Sequence, residues 1–238
     1  MQMRTDGRSS GRPDPGASRT RAQRRHARQT QIIDEAARLF ARNGYAATGV
    51  TELCEAVGLG RGSLYHYIGS KEALLVQIHD RVMDDVLKSA DDVLSLNVPP
   101  SQALRMMGVE LIRILALYPD HVWVFLHEWC SLTGERLAEF RRRRDLYGNA
   151  VERVLREGVE QGEFHIEDIR LTALAWHNLH NFTYQWLRPD GELSPLQIAN
   201  RFYDVFMHGI AASAEAPRHH GTAGPDRAHM DLPPSCDA

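Results

Sequence analysis

Cysteine is scarce here. Cys54, Cys130 and Cys236 are odd in number and far apart, which argues against a secreted disulfide framework and against a paired-thiolate zinc motif. No uninterrupted apolar run approaches the roughly 20 residues that span a bilayer, and the opening MQMRTDGRSSGRPDPG lacks the apolar core of a signal peptide. A GxSxG elbow, a P-loop, a dinucleotide fingerprint and a Cys/His metal set are all missing. Catalysis would need an unadvertised pair such as His127-Glu128, whose adjacent side chains diverge on a helix. These absences predict a cytoplasmic protein that is not an enzyme and uses neither cofactor nor metal.

Charge is nearly balanced overall, at −3, but unevenly spread. Residues 1–27 are rich in Gly, Ser, Pro and Arg and read as a disordered arm. Arg19, Arg21, Arg24, Arg25 and Arg28 could reach phosphates or a minor groove. Glu215 onward, with His219-His220, reads as a second tail, so the domains fall at 28–75 and 76–213, with 214–238 as tail.

The segment TGVTELCEAVGLGRGSLYHYIGSKE, from Thr48 to Glu72, carries the most chemistry. Ile32, Ile33, Ala36, Ala37, Leu39 and Phe40 recur at helical spacing and predict a support helix over Gln29 to Arg42, stopped by Asn43-Gly44. Thr48 can cap a second helix with Val50, Leu53 and Val57 on its buried side and Gly58 at its end. In the third, Leu64 and Ile68 face inward, leaving Arg61, Gly62, Ser63, Tyr65, His66 and Tyr67 outward. Arg61 suits a guanine edge; Gly62 permits close backbone approach; Ser63, Tyr65, His66 and Tyr67 offer groups to phosphates or bases. Ser70 can cap the next helix and present Lys71 to a phosphate. The remainder reads as helices over Lys71 to Leu96, from Pro99-Pro100-Ser101 to Tyr118, Asp120 to Leu132, Gly134 to Gln161, Asp168 to Leu187 and Pro195 to Ile210, with a turn at Pro189-Asp190-Gly191. The Asp120 helix is apolar almost all round, which predicts a central position.

Thr48, Gly58-Leu59-Gly60, Gly62-Ser63-Leu64-Tyr65-His66-Tyr67 and Ser70-Lys71-Glu72-Ala73-Leu74 together resemble the DNA-binding domain of the TetR family of one-component repressors. Gly60 and Cys54 depart from its usual Ser and Ala. The resemblance implies an all-α fold, with an N-terminal three-helix helix-turn-helix domain and a larger helical ligand-binding and dimerisation domain. It implies DNA contacts from Thr48, Thr51, Arg61, Gly62, Ser63, Tyr65, His66, Tyr67 and Lys71. It further implies a homodimer through the last two helices, for which Leu171, Leu174, Leu179, Phe182, Ile198, Phe202, Val205, Phe206 and Ile210 supply apolar surface.

An inducer pocket is implied too, its occupation swinging the Lys71 helix. Candidate lining residues combine bulk with a polar tip: Trp123, His127, Trp129, Tyr147, Trp176, His180, Asn181 and Tyr184. Ordinary core packing is the competing reading for each. The stretches Val159 to Phe164 and Trp186 to Ser194 are similar to family members that sense CoA thioesters, which makes an acyl-CoA the expected inducer and Arg141, Arg144 and Arg188 its phosphate partners. The expected function is therefore a ligand-responsive repressor released from a palindromic operator. The alternatives are a nonspecific architectural DNA binder using the arm and Lys71, and an enzyme with an unrecognised helical site.

Overall fold

The structure, a computed structural model, describes residues 15–188 and 191–210, and its regular elements are all helices. Helix α1 spans Pro15–Asn43. It starts well before the expected Gln29, so Pro15 to Ala27, assigned from composition to a disordered arm, are helical instead. Ala, Arg and Gln dominate this stretch and are good helix formers, and Pro15 at the first position has its φ already set. Residues 1–14, the side chain of Arg19, the turn residues Pro189-Asp190 and the tail from 211 lie outside the described residues. Arg28, expected to reach DNA, turns back to donate to Gln31 and to the Val57 carbonyl at 2.5 Å.

Helices α2 (Val50–Val57) and α3 (Arg61–Ile68) stand on α1. Each has only eight residues, too short to persist alone in water, so burial must hold them. Leu53, Leu64 and Ile68 are buried with Ile32, Ala36 and Phe40, each large side chain contributing about 1.5–3 kcal/mol. Gly58 closes α2 at φ 63°, where a Cβ would be strained.

Helix α4 (Lys71–Ser95) opens with the Ser70 hydroxyl accepting the Ala73 N–H at 2.9 Å, the cap read from the sequence. The body follows as α5 (Pro100–Leu117), α6 (Pro119–His127), a 3₁₀ turn at Trp129–Ser131, α7 (Gly134–Glu160), α8 (Ile169–Asn181), a second 3₁₀ turn at Phe182–Gln185, and α9 (Pro195–Ile210). Two long expected helices thus break. The Asp120 helix stops at His127 because Glu128 leaves helical geometry, at φ −100° and ψ 7°, and spends its carboxylate on another element. The Asp168 helix ends at Asn181 and tightens into the second turn.

Two apolar clusters fill the molecule. One lies under the helix-turn-helix and continues through Leu74, Leu75 and Ile78 of α4 to Val124, Leu132 and Phe140. The other joins α4, α5, α7, α8 and α9 around Leu104, Ile112, Val151 and Trp176. Helix α6 packs against both α1 and α4, and α5 packs along α9. Near the end of α7, a Cβ on Gly158 would fall 2.1 Å from the Phe164 ring, so only glycine lets that ring fold back. Among the described residues no helix is long and apolar enough to cross a membrane.

Candidate DNA-reading head and the sites behind it

Helix α3 buries Leu64 and Ile68 completely and exposes Arg61, Gly62, Ser63 and His66. Tyr65 and Tyr67 are half-buried against the apolar cluster beneath them. The Arg61 guanidinium lies 5.9 Å from the Tyr65 ring centre and His66 stands edge-on to Tyr67 at 5.9 Å. Thr51 is exposed on α2. Arg61, Ser63 and His66 thus expose donor groups on a single short helix, whose width suits a major groove.

Two expected contacts are placed differently. Thr48 is buried, and its hydroxyl donates to the Gly44 carbonyl at 2.8 Å instead of capping α2, whose cap position is Gly49. The chain turns into α2 one residue later than the pattern suggested. Lys71 is held within the protein: its ammonium donates to the Tyr45 carbonyl and lies 4.3 Å from the centre of the Tyr45 ring. Burial pulls its pKa below the usual lysine value. Only one of its three N–H donors is spent on that carbonyl, so the others remain for a phosphate.

Polar contacts tie the head to the body and, within the body, tie α4 to its neighbours. Glu128 accepts the Tyr45 backbone N–H at 2.9 Å. Arg136 of α7 pairs with Glu72 at 2.5 Å, and Arg143 of α7 bridges Asp80, at 2.6 Å, and Asp84 of α4. His121 of α6 lies 3.2 Å from Asp34 of α1. Arg81 lies above the Tyr118 ring at 4.8 Å.

The residues proposed to line an inducer pocket separate into groups. Tyr147, Trp176 and His180 are buried and packed on one another, Trp176 to His180 at 4.2 Å, as core side chains. The His180 Nδ1–H donates to the Trp176 carbonyl at 2.8 Å, and Gly108 leaves room for the ring, since a Cβ there would come within 2.7 Å of its Nε2. Trp123, His127 and Tyr184 form a second group nearer the surface. His127 stacks on Trp123 at 4.3 Å and donates through Nδ1 to its carbonyl, which leaves Nε2 to accept the Tyr184 hydroxyl at 3.1 Å. Trp129 lies parallel to Phe140 at 6.5 Å, Asn181 is half-buried, and Arg141, Arg144 and Arg188 are exposed, Arg144 above the Phe140 ring.

None of these residues lines the cavity of about 300 Å³ between α4 and α7. Its walls include His79, Asp80, Arg136 and Arg143, which sequence reasoning missed. A signal was present: His79 interrupts the apolar stripe Leu75, Ile78, Val82. No cluster of three or more metal-ligating side chains occurs among the described residues.

On the outer face of α8, the 3₁₀ turn that follows it and α9, Leu171, Phe182 and Val205 are 62%, 61% and 68% exposed. Leu174, Leu179, Phe202 and Phe206 are half-buried. Ile198 is a correction: it points inward, 4% exposed, because α9 turns this residue toward α5. The side chain of Ile210 lies outside the described residues.

Comparison with known proteins fits this geometry. Residues 32–78 match the bacterial regulatory proteins of the tetR family, and residues 97–210 match a tetracyclin repressor-like C-terminal domain. The TetR family regulator PfmR from Thermus thermophilus is 31% identical, with a TM-score of 0.70 over 74% of this chain and 97% of that one. The transcriptional repressor KstR2 of Rhodococcus jostii is 28% identical over 194 residues, 78% of this chain and 92% of its own. AibR, solved with isovaleryl coenzyme A and operator DNA, is 28% identical with a TM-score of 0.68, covering 75% and 97%. With both halves matched and the reading head formed, the chain belongs to the TetR family of transcriptional regulators.

Proposed function

We propose that the protein is a homodimeric repressor that holds a palindromic operator and releases it when an acyl-CoA thioester binds. The observation that carries the reading is the exposed strip of Arg61, Gly62, Ser63 and His66 on a helix whose other side is fully buried. Thr51, Tyr65 and Tyr67 flank it, with Lys71 as the phosphate contact through the donors that Tyr45 leaves free. One two-turn helix reads few base pairs, so a second copy on the same DNA face supplies the missing specificity, about one helical turn away. The uncovered apolar face of α8 and α9 supports that pairing.

The acyl-CoA assignment draws on the likeness to AibR and on the exposed Arg141, Arg144 and Arg188, which suit phosphates. Ligand and operator oppose each other, so each weakens the other by the same factor, typically about 1–3 kcal/mol. Selection from random duplex DNA by the purified protein at about physiological salt tests the reading, because nonspecific phosphate binding is then suppressed. A recovered palindrome whose complex is weakened by isovaleryl coenzyme A is the expected result. Unrelated sequences would instead favour an architectural binder, and a palindrome indifferent to acyl-CoAs would overturn the ligand assignment alone.

A further inference from the structure

The cavity between α4 and α7 is separate from every residue assigned above to DNA, dimer or acyl-CoA. His79 forms part of its wall, is 3% exposed, and has no hydrogen-bond partner for either ring nitrogen among the described residues. Buried polar groups are ordinarily satisfied, and this position belongs to an apolar stripe where a hydrophobe would cost nothing. The ring is held edge-on by Phe140 at 4.9 Å and tilted against Phe125 at 5.6 Å. Burial pushes its pKa down to about 3, so the imidazole is neutral, offering one donor and one acceptor.

The surrounding wall narrows the chemistry. Val76, Met83 and Leu132 are apolar. Arg143 is already paired with Asp80 and Asp84, Arg136 with Glu72 and Glu139 with Arg142, so an anionic ligand meets no unpaired guanidinium there, while Glu135 adds negative charge. We propose that this cavity binds a small uncharged molecule, mostly apolar, whose single hydroxyl or carbonyl group pairs with His79. About 300 Å³ is far too little for a CoA thioester, whose phosphates the wall would also repel. Because Arg136 and Arg143 are the side chains that pair α7 with α4, an occupant would sit against the contacts that position the reading head.

Cyclohexanol is a suitable probe, with cyclohexanecarboxylate as its charged counterpart. Added to the full chain labelled with ¹⁵N-histidine, cyclohexanol should shift the His79 ring signals saturably, with a Kd on the order of 1 mM for so small a molecule. Those signals are identified by their loss in His79→Phe. That variant should bind cyclohexanol about tenfold more weakly by ligand-observed NMR, and the carboxylate should bind the wild type more weakly still. Met83→Trp, which fills the cavity and leaves the imidazole in place, should abolish the shift. Unmoved His79 signals up to the solubility limit, equal binding of the carboxylate, or undiminished binding by either variant would overturn the proposal. No DNA is involved, so the outcome is independent of the operator and acyl-CoA readings.

Discussion

Glu128 and Tyr45, 83 residues apart, meet through a carboxylate oxygen and a backbone N–H at 2.9 Å. Tyr45 passes the connection on, since its carbonyl receives the Lys71 ammonium. The last residue before the first 3₁₀ turn is therefore joined to the residue expected to hold DNA phosphate. Glu128→Ala leaves that N–H unpaired and should cost about 1–2 kcal/mol of stability, with faster amide exchange at Tyr45. Urea unfolding and hydrogen exchange check this; unchanged exchange would mean that the contact is incidental.

On the reading strip, Arg61→Ala should cost about 1–3 kcal/mol of operator affinity and relax preference at one base position. Tyr65→Ala and Lys71→Ala should abolish operator binding while circular dichroism shows the helices retained. Lys71→Ala also frees the Tyr45 carbonyl, so a small loss of stability is expected there. Loss of helicity in either variant would make the residue structural.

Phe182→Glu and Val205→Glu place charge on side chains more than half exposed, so each should leave the fold intact and shift the protein to monomer in sedimentation. Ile198→Glu is the contrast, because the same charge would enter the protomer's own core and unfold it. A dimer that survived both surface changes would place the interface elsewhere.

Acid should destabilise the fold through its histidines. Burial lowers the pKa of His79 to about 3 and those of His121, His177 and His180 to about 4. Unfolded, each titrates near 6.5, so the unfolded chain takes up protons first; this stability is whole above about pH 6.5 and is lost as pH falls toward 4. At pH 5 each contributes a loss on the order of 1–2 kcal/mol. Asp80 and Asp120, whose pKa values burial raises, oppose this trend, but both are partly solvated. The urea midpoint should drop between pH 7 and pH 5, and less so in His180→Phe. An equal drop in that variant would exclude His180 as a contributor.

Periodicity and local chemistry revealed much of the head. Leu64 and Ile68, four apart, announced the buried side of α3, and the Ser70 cap and the left-handed Gly58 followed from residue type. Features that depend on distant partners were hidden. The stop of α6 depends on Glu128 reaching Tyr45, and the inward turn of Ile198 on the neighbouring α5. Thr48 is a different case, since its hydroxyl chose one local partner, the Gly44 carbonyl four residues back, over the cap position. His79 alone broke an otherwise apolar stripe visible in the sequence, but whether such a residue meets a partner or a cavity is decided only in three dimensions.

Helix α6 touches α1 and α4 at once, and Val124 shares a cluster with Phe40 and Leu75. A rotation of α4 that left α1 behind would tear that cluster open and expose apolar surface to water. Low-cost re-aiming therefore favours α1 and α4 moving together, with α6 between them. Relative displacement of the two heads on DNA would then be governed by how these helices tilt together in each protomer.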